Sequence, residues 1–474
     1  MSFTDIVFYI FFAALSCIML FIESGAGRKI FKGRQHSAQK VTILIASYIF
    51  YGYWNYKFCF LLFALSIVVF FCAKRIDKGK IYTFLGIAVP LIVLGIFKYF
   101  NFFVDSFCEV FRIQSDGAIN IILPVGISFY TFQSLSYIID VKRKRIEAEK
   151  SLINLMLYIA FFPQLVAGPI VKASDFLPQL KENRRITKEG VEAGIQIFVF
   201  GLFKKIVLAD NLSVFVDDVF ERTAIYSGFS VLLGIIAYSL QIYFDFSGYS
   251  DMAIGCAKIF GYDFHKNFDL PYASKNVSEF WKRWHISLSS WLQSYLYIPL
   301  GGNRKGEART YLNLMITMIL GGLWHGANWT FVVWGALHGA ALCINKMFRK
   351  FMNHGKEYKG TVLGNIISTL ITYMFVCFCL IFFRSDNFSQ AGEIIKAIFT
   401  MQKGIAFPYV WLIVSVLMLC AVTAYSAVKN KKPKAFYPHL RLNRISGLTV
   451  FIIFTGITVI FAYTGANPFV YFQF

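Results

Sequence analysis

The amino-acid sequence predicts an all-α polytopic membrane protein. Of its 474 residues, 57% are hydrophobic and 18% are aromatic, and the mean hydropathy of +0.58 lies far above the balance of a soluble domain. About ten apolar runs are long enough, or nearly so, to cross ~30 Å of hydrocarbon as helices. None of them alternates like a strand of an outer-membrane barrel, so helices remain as the way to satisfy the backbone in lipid.

The positive charge of the chain lies between the apolar runs. Lys and Arg outnumber Asp and Glu by 47 to 26, a net charge of +21, which in a soluble protein would suggest nucleic acid as a partner. Here the positive-inside rule places the basic loops in the cytoplasm, so membrane lipids and not nucleic acid are the expected surroundings. The basic clusters are 28–34, 74–80, 142–145, 181–188, 303–309, 346–359 and 429–434.

The loops that are poor in Lys and Arg are predicted to face outward. They are 101–116, 210–222 and 384–403. The first apolar run, 5–22, has basic residues after it and none before it, which is the reverse of a signal peptide. We therefore expect the first helix to be retained and both termini to lie outside.

Eight apolar runs predict membrane spans, and neither a repeat nor a soluble domain is visible between them. Residues 1–474 are therefore predicted to form a single membrane domain. The predicted spans are 41–54, 58–73, 81–97, 119–139, 229–244, 362–383, 407–428 and 448–463.

The apolar stretch 157–171 does not fit a simple span. It carries Pro163 and Pro169 and lies between two basic loops that are both predicted to be cytoplasmic. Broken backbone at membrane depth is tolerated only where protein or a water-filled cavity covers it. We expect this segment to turn back within the membrane or to break.

A second unusual stretch, 198–212, places Lys204 and Lys205 inside an apolar sequence. One interpretation is that the lysines snorkel to an interface. The other is that one lysine faces an internal cavity and meets an anionic ligand, because charge inside a membrane is costly and usually functional.

The stretch 245–310 is too polar to span and too aromatic for a solvated loop, a composition typical of segments that lie in the membrane interface. Within it, 278–292 predicts one amphipathic helix whose aromatic and leucine stripe recurs at helical spacing, with His285 beside it. The stripe consists of Phe280, Trp284, Leu288 and Trp291.

The apolar tract 311–343 is too long for one pass and lies between two basic loops. It predicts two helical segments that meet near Gly321 and Gly322. This places His325 just beyond a glycine break, deep in the protein, where an intramembrane reaction site is expected.

Histidine is the residue most suited to chemistry in this chain, because neutral imidazole can take a proton near neutral pH. His325 is interpreted as a general base and His285 as a second imidazole near it. His338 is interpreted as a structural, hydrogen-bonded histidine. The four histidines in loops or at loop edges are interpreted as surface residues; they are His36, His265, His354 and His439.

Other catalytic signatures are missing from the sequence. It contains no nucleophile elbow, P-loop or dinucleotide fingerprint. The nine cysteines show no CxxC pair and no zinc spacing, so we predict no metal site and interpret all nine as small buried hydrophobes. Chemistry, if present, therefore depends on histidine.

Several motifs resemble the membrane-bound O-acyltransferase family, and within it the bacterial branch of alginate and other polysaccharide O-acetylation. The two most specific are "FWKRWHISLSSWLQSYLYIPLGGNRKG" and "GGLWHGANWTFVVWGALHG". The resemblance extends from about residue 95 to 345. The matching stretches are 97–103, 124–141, 161–171, 201–210, 244–255, 280–306 and 321–339, with a weaker echo in 382–391.

The resemblance implies a ring of transmembrane helices, with re-entrant and interfacial helices, around a central tunnel. By motif, His325 corresponds to the family's catalytic histidine and His285 to its second characteristic histidine. His285 and Asn328 are expected to orient the donor or to stabilise the developing oxyanion. Acetyl-CoA is the implied acyl donor, and no bound cofactor is expected. The expected substrate-binding residues, which orient the donor or hold its phosphates, are Asn328, Trp324, Arg283, Lys282, Lys204, Lys205 and Asp245.

The implied activity is transfer of an acetyl group across the bacterial cytoplasmic membrane for O-acetylation of an extracytoplasmic or cell-wall polysaccharide. An extracytoplasmic acetyltransferase or esterase-like protein is the expected partner, because no soluble outer domain is visible. One alternative is the teichoic acid D-alanyl transferase of the same family, which takes its acyl group from a carrier protein. Another is a polysaccharide or lipid exporter without catalysis.

Overall fold

The computed structural model describes residues 1–113, 121–166, 168–353, 361–407, 409–430, 435, 437, 439–465 and 469. Over these residues the chain forms helices joined by loops, and the isolated bridge between Tyr226 and Ile405 is the β-type pairing that they contain. The chain divides into two compact units. Unit 1 comprises 1–198 and 249–265, and unit 2 comprises 199–248 and 266–474.

Unit 1 contains the helices of the first part of the chain. Its short 3₁₀ helix is Ile76–Lys78, and its π-helical segment is Gly95–Tyr99. The α-helices are α1 Ile6–Glu23, α2 Gly25–Phe31, α3 Gln35–Asn55, α4 Lys57–Lys74, α5 Lys80–Leu94, α6 Phe100–Phe111, α7 Ile127–Lys142, α8 Leu152–Ala160, α9 Phe162–Leu165, α10 Ala173–Lys181 and α11 Lys188–Phe203, whose last residues belong to unit 2.

Unit 2 contains the later helices, with two π-helical segments, Lys204–Ala209 and Gln293–Tyr297, and 3₁₀ helices at Thr223–Ile225 and Pro271–Ala273. The α-helices are α12 Asp210–Glu221, α13 Gly228–Ile259, whose end belongs to unit 1, α14 Val277–Arg283, α15 Ile286–Leu292, α16 Glu307–His325, α17 Trp329–Asn353, α18 Val362–Arg384, α19 Phe388–Phe399, α20 Val410–Asn430 and α21 Ile445–Ile460.

Seven helical stretches among the described residues are long and apolar enough to cross a membrane, which confirms the prediction of a multi-pass, all-helical membrane protein. The predicted run 119–139 is wrong at its start, because its helix begins only at Ile127 and 114–120 lie outside the described residues. The seven are Ile6–Glu23, Lys57–Lys74, Lys80–Phe111, Gly228–Ile259, Trp329–Phe351, Val362–Arg384 and Val410–Lys429.

The proline-containing stretch of unit 1 breaks as predicted. Helix α8 ends at Ala160, and α9 begins at Phe162 after Phe161, whose backbone is not helical. The protein itself satisfies the interrupted backbone, because Ser47 Oγ accepts from the Phe162 N–H at 3.1 Å. Tyr158 donates to the Val171 carbonyl at 3.2 Å. The break is therefore covered by buried side chains, as intramembrane irregular backbone requires.

Two basic loops of unit 1 lie at the same end of that unit. The side chain of His36, next to the cluster 28–34, contacts the Leu180 carbonyl oxygen at 2.9 Å. The N–H of Ile186, in the cluster 181–188, donates to the Glu23 carboxylate at 2.9 Å. Their proximity is what the positive-inside interpretation expects of two cytoplasmic loops.

In unit 2, the tract 311–343 forms an antiparallel hairpin of α16 and α17, so the prediction of two helical segments is confirmed. The predicted position of the break between the two segments is wrong, because α16 continues through Gly321 and Gly322 and ends at His325. A side chain on Gly322 would collide with the Phe331 carbonyl oxygen on α17. Gly322 therefore permits close packing of the two helices, and the chain turns after His325.

The prediction for 245–310 is wrong at both ends of the segment. Residues 245–259 continue α13, whose apolar window is 78% buried inside the protein, and Glu307 begins α16. The predicted helix 278–292 is also interrupted, because α14 ends at Arg283 and α15 begins at Ile286. The four stripe residues are nevertheless buried, so the pattern identified a packed face correctly and missed the corner at Trp284 and His285.

The cysteine interpretation is partly wrong. Cys17 and Cys420 are exposed on the protein surface, in helices that are candidate membrane spans. An exposed thiol on such a helix faces lipid in a membrane, which explains why the sequence does not distinguish it from a core residue. The remaining seven are buried or half-buried.

Candidate active site

His325 is the last residue of α16 and lies at the tip of the α16–α17 hairpin, buried to 3% exposure. Helix α16 has 19 residues and is therefore about 28 Å long. Lys350 and Glu307 form an ion pair at 2.5 Å near the other end of the hairpin, where both basic loops begin. His325 is thus at the end of the hairpin away from the predicted cytoplasmic loops.

Aromatic rings surround the His325 imidazole. Its ring centroid lies 4.9 Å from Trp324, 5.0 Å from Trp334 and 5.1 Å from Phe383, each in an edge-to-face arrangement. These rings exclude bulk water and leave the imidazole in a low-dielectric environment, where each hydrogen bond and charge has a larger effect than in water.

A small cavity of about 10 Å³ borders this imidazole within unit 2. That volume is close to what one water molecule requires. Its walls are mostly aromatic and aliphatic, and its polar lining comes from histidine, tyrosine and tryptophan. The lining residues are Ile242, Tyr272, Phe280, Trp284, His325, Trp334, His338, Val376, Leu380 and Phe383.

The cavity is also lined by His338, for which the sequence predicts a structural role. His338 is 1% exposed and accepts a hydrogen bond from the Trp281 indole at 3.3 Å, so the expected hydrogen bond is present. Its place in the lining was missed. The available signal was the spacing of Trp334 and His338, which are four residues apart and therefore share one face of α17.

His285 lies at the corner between α14 and α15, and its backbone is left-handed, with φ 43° and ψ 56°. A residue with a Cβ occupies this region at a cost of order 1 kcal/mol or more, a strain that is concentrated at functional sites. Asn267 holds the corner, because its Oδ1 accepts from the Ser287 N–H at 3.1 Å and the Ser287 hydroxyl at 2.9 Å.

The same amide oxygen determines the tautomer of His285. Oδ1 of Asn267 lies 3.3 Å from His285 Nδ1, and since an amide oxygen can only accept, Nδ1 carries the proton. Nε2 is then a bare acceptor, and it is buried without a hydrogen-bond partner among the described residues. Burial lowers the pKa of His285 to about 3, which keeps this imidazole neutral.

Trp324 lies between the two predicted catalytic histidines. Its ring centroid is 6.1 Å from His285 and 4.9 Å from His325, and its side chain is 5% exposed. The structure therefore brings His285, Trp324 and His325 together in unit 2. His285 is not among the residues that line the small cavity.

Asn328 occupies a different position from the one that its predicted role requires. Its amide N–H donates to the Asp386 carbonyl at 2.7 Å, and its Oδ1 accepts from the Thr330 N–H at 3.0 Å. Both contacts cap the start of α17 and join it to the loop after α18. The side chain is absent from the cavity lining, so the structure gives Asn328 a capping role, and its contact with the donor stays a prediction.

Lys205 pairs with protein carboxylates. Its ammonium lies 2.6 Å from Asp245 and 2.8 Å from Asp210, and all three side chains are less than 10% exposed. The snorkelling interpretation is therefore wrong for Lys205, which faces the protein interior. The geometry supplies Asp245 as an ion-pair partner of this lysine.

The other basic candidates are distributed between buried and exposed positions. Lys204 is 8% exposed and donates to the Ser247 hydroxyl at 3.2 Å. Arg283 bonds the Glu279 carboxylate at 2.7 Å and the Asp269 carbonyl at 3.1 Å. Lys282 is exposed, which makes it the most accessible of these cations for a donor phosphate.

Comparison with known proteins identifies the kind of enzyme to which this site belongs. Residues 145–385 match the model of the membrane-bound O-acyltransferase family. The probable alginate O-acetylase of Pseudomonas aeruginosa is 41% identical over 393 residues, which cover 81% of this chain and 74% of that protein. The peptidoglycan O-acetyltransferase of Helicobacter pylori is 36% identical over 389 residues, covering 75% of this chain and 73% of that protein.

A more distant relative is the teichoic acid D-alanyltransferase of Bacillus subtilis, which is 27% identical over 280 residues and matches 57% of this chain and 70% of its own length. The family match includes both His285 and His325. On this evidence the chain belongs to the membrane-bound O-acyltransferase family and is a multi-pass membrane O-acyltransferase.

Proposed function

We propose that this protein moves an acetyl group from acetyl-CoA in the cytoplasm across the membrane for O-acetylation of an extracytoplasmic polysaccharide, with His325 as the general base. The observation that carries the proposal is a buried imidazole that lines a small, mostly apolar cavity within unit 2. The cavity is too small for a long acyl chain. The relatives named for alginate and peptidoglycan O-acetylation support a polysaccharide acceptor.

The proposed reaction needs one base and no metal step. His325 takes the proton of an acceptor hydroxyl while that oxygen attacks the thioester carbonyl carbon. A C–O bond forms and the carbonyl oxygen becomes an oxyanion. When the oxyanion collapses, the C–S bond breaks and the proton on His325 passes to the departing thiolate.

His285 acts in this scheme as an acceptor. Its neutral tautomer has no N–H at Nε2, so it cannot donate a hydrogen bond to an oxyanion, contrary to one role expected from the sequence. It can instead accept a hydrogen bond from the acceptor hydroxyl or from a group of the donor. Its strained corner and its bonds to Asn267 hold that lone pair in one direction.

The hairpin geometry supports entry of donor and acceptor from opposite sides. The basic loops at one end would present cations to the phosphates of the donor, and Lys282 of α14 is a further exposed cation. His325, at the other end, lies near the loop after α18, because Asn328 contacts Asp386 there. An acceptor from outside would therefore meet the base at the hairpin tip.

A partner protein completes the proposal. The predicted outward loops of unit 2 pack on each other, since Arg384 pairs with Asp217 at 3.0 Å and Gln402 donates to the Thr223 carbonyl at 2.9 Å. Loops committed to such contacts supply little surface for a glycan cleft. We propose that an extracytoplasmic acetyltransferase or esterase-like protein receives the acetyl group and passes it to the polymer.

The test uses the purified full chain with acetyl-CoA, with and without polymer. Wild-type protein is expected to bind the donor and release CoA slowly, and to leave polymer unmodified when no partner is present. His325→Ala is expected to lower CoA release, and acetylation in cells, by about 100-fold or more, the usual effect of removing a general base.

The matched control is His265→Ala, which removes an exposed histidine of unit 1 and should leave both readings unchanged. Activity is normalised to the amount of monodisperse protein extracted in detergent. Near-normal acetylation by folded His325→Ala protein would remove the proposed base. Transfer from a D-alanyl carrier protein, with none from acetyl-CoA, would favour the teichoic acid alternative.

A further inference from the structure

We propose that His338 is a further catalytic residue, whose Nε2–H stabilises the oxyanion that forms on the acyl carbonyl. The proposal rests on the proposed function, because it requires a thioester in the small cavity of unit 2. Its independent basis is the position and the tautomer of a histidine that acyl transfer by His325 and His285 leaves without a task.

The tautomer follows from one hydrogen bond. The Trp281 Nε1–H donates to His338 Nδ1 at 3.3 Å. An indole nitrogen can only donate, so Nδ1 must be a bare acceptor, and a neutral imidazole with a bare Nδ1 carries its proton on Nε2. A doubly protonated ring could not accept this bond. His338 is therefore held as a neutral N–H donor at Nε2.

Packing holds the ring in this orientation. The His338 ring centroid lies 5.3 Å from Trp281, 4.8 Å from Trp334 and 5.5 Å from Phe375, each edge-to-face. It stacks on Phe280 at 6.1 Å. The bond from Trp281 occupies Nδ1, and Nε2–H is the other polar group of this ring, which is among those that line the cavity.

His325 and His338 are placed so that one can act on the acceptor hydroxyl and the other on the carbonyl oxygen of the thioester. Trp334 lies between the two imidazoles, 5.0 Å from His325 and 4.8 Å from His338. Along α17, His338 is four residues and so about 6 Å farther from the hairpin tip than Trp334. The base is thus on the side of the acceptor, and the N–H donor is on the side of the basic loops, from which the thioester would enter.

Neither of the two residues that the sequence predicts for oxyanion stabilisation supplies a donor at the cavity. Asn328 caps α17, and His285 presents an acceptor at Nε2. His338 Nε2–H can donate to the carbonyl oxygen as the acceptor oxygen adds to carbon, and its bond strengthens as negative charge develops. When the C–S bond breaks, the charge leaves the oxygen and the proton stays on His338. The residue ends the cycle unchanged.

The experiment compares three variants of the full chain. His338→Phe keeps a ring of similar size in the aromatic cluster and removes the donor. His338→Gln keeps an amide N–H near the position of Nε2. Trp281→Phe keeps His338 and removes the bond that selects its tautomer. The readings are base-labile acetyl esters on the polysaccharide of intact cells and the steady-state kinetics of CoA release from acetyl-CoA, both per amount of monodisperse protein.

We expect His338→Phe to lower kcat by about 100-fold, the scale for one oxyanion donor, with little change in KM, since the interaction is made in the transition state. His338→Gln should recover about 10-fold of that loss or more, on the scale of a restored hydrogen bond to a charged group. Trp281→Phe should lower kcat by less than His338→Phe. His265→Gln, an exposed histidine, serves as the control.

A purely structural His338 predicts a different pattern. Activity per folded molecule would then be normal in His338→Phe, and that result overturns the proposal. If His338→Phe does not fold, the other two variants decide, because an inactive His338→Gln together with a fully active Trp281→Phe also overturns it. Absence of CoA release by the wild type would contradict acetyl-CoA as the donor. The role of His338 would then be tested by comparing the acetyl esters in cells that carry the wild type and the His338 variants.

Discussion

At the scale of single residues, two hydrogen bonds give two buried histidines opposite properties. Asn267 makes His285 an acceptor at Nε2, and Trp281 makes His338 a donor at Nε2. The amide oxygen of Asn267 can only accept a hydrogen bond, and the indole N–H of Trp281 can only donate one. Each partner therefore determines which ring nitrogen of the neutral histidine carries the proton. The chemistry of each imidazole is therefore decided by a residue distant in sequence.

Asn267→Ala tests the assignment for His285. Loss of Oδ1 would release both His285 and the Ser287 backbone, and the corner with positive φ would no longer direct the Nε2 lone pair. We expect acetyl transfer per folded protein to fall by up to about 100-fold, as small misplacements of catalytic groups do. The measurement is CoA release from acetyl-CoA.

Ser287→Ala is the matched control, because it removes the Ser287 hydroxyl and keeps the hydrogen bond that the Ser287 N–H donates to Asn267 Oδ1. It should retain most of the activity. Equal, near-normal rates in Asn267→Ala and Ser287→Ala would show that orientation of His285 is unimportant for transfer.

At the scale of elements, the π-helical segment Lys204–Ala209 brings an internal charge network to α13. The extra residue per turn changes which side chains face inward, and such segments are frequent at functional sites. Here Lys205 faces Asp245 of α13 and Asp210 of α12. The network connects three helical elements of unit 2: the π-helical segment, α12 and α13.

Lys205→Met is expected to destabilise the protein by about 3–5 kcal/mol, because it leaves two buried carboxylates without their common counter-ion. The triple variant Lys205→Met, Asp210→Leu and Asp245→Leu should recover most of that loss, since an apolar replacement of a buried ion network is often neutral. Thermal unfolding in detergent measures both effects.

Lys204→Met is the comparison for the same segment, because Lys204 donates a hydrogen bond to a neutral group, the hydroxyl of Ser247, at 3.2 Å. It should lower the melting temperature less than Lys205→Met does. A Lys205→Met protein with an unchanged melting temperature would mean that the network contributes no net stability.

At the scale of the whole molecule, the loops group as the charge pattern predicts. In unit 1 the loops near 28–34 and 181–188 meet, and in unit 2 the hairpin brings 303–309 close to Lys350. The predicted outward loops 210–222 and 384–403 also meet. Residues 431–434 of the last basic cluster lie outside the described residues.

Cysteine labelling tests the predicted orientation. In a background with the exposed Cys17 and Cys420 replaced by serine, Glu221→Cys should react with a membrane-impermeant reagent on intact cells. Arg304→Cys should react only after the membrane is permeabilised, because its loop is predicted to be cytoplasmic. The reverse pattern would invert the topology, and with it the sides assigned to donor and acceptor.

Composition and local sequence pattern are sufficient to predict several features of this protein. The multi-pass helical character, the break around Phe161 and the pairing of two helical segments within 311–343 were predicted correctly, whereas the start of the run 119–139 and both ends of the segment 245–310 were not. The single membrane domain over 1–474 and the ring around a tunnel stay predictions. These successes share a cause, because hydropathy, proline and short motifs act through neighbouring residues.

The arrangement of the site depends on tertiary packing. The sequence predicts a continuous helix through His285, but the structure has a strained corner there. It predicts a break at Gly321 and Gly322, but the chain turns only after His325, and Asn328, predicted to bind the donor, caps α17. His338 joins the cavity because Trp281, far away in the chain, fixes its ring. Burial and long-range hydrogen bonds select among conformations that local propensity leaves nearly equal in free energy, and no pattern of neighbours encodes that selection.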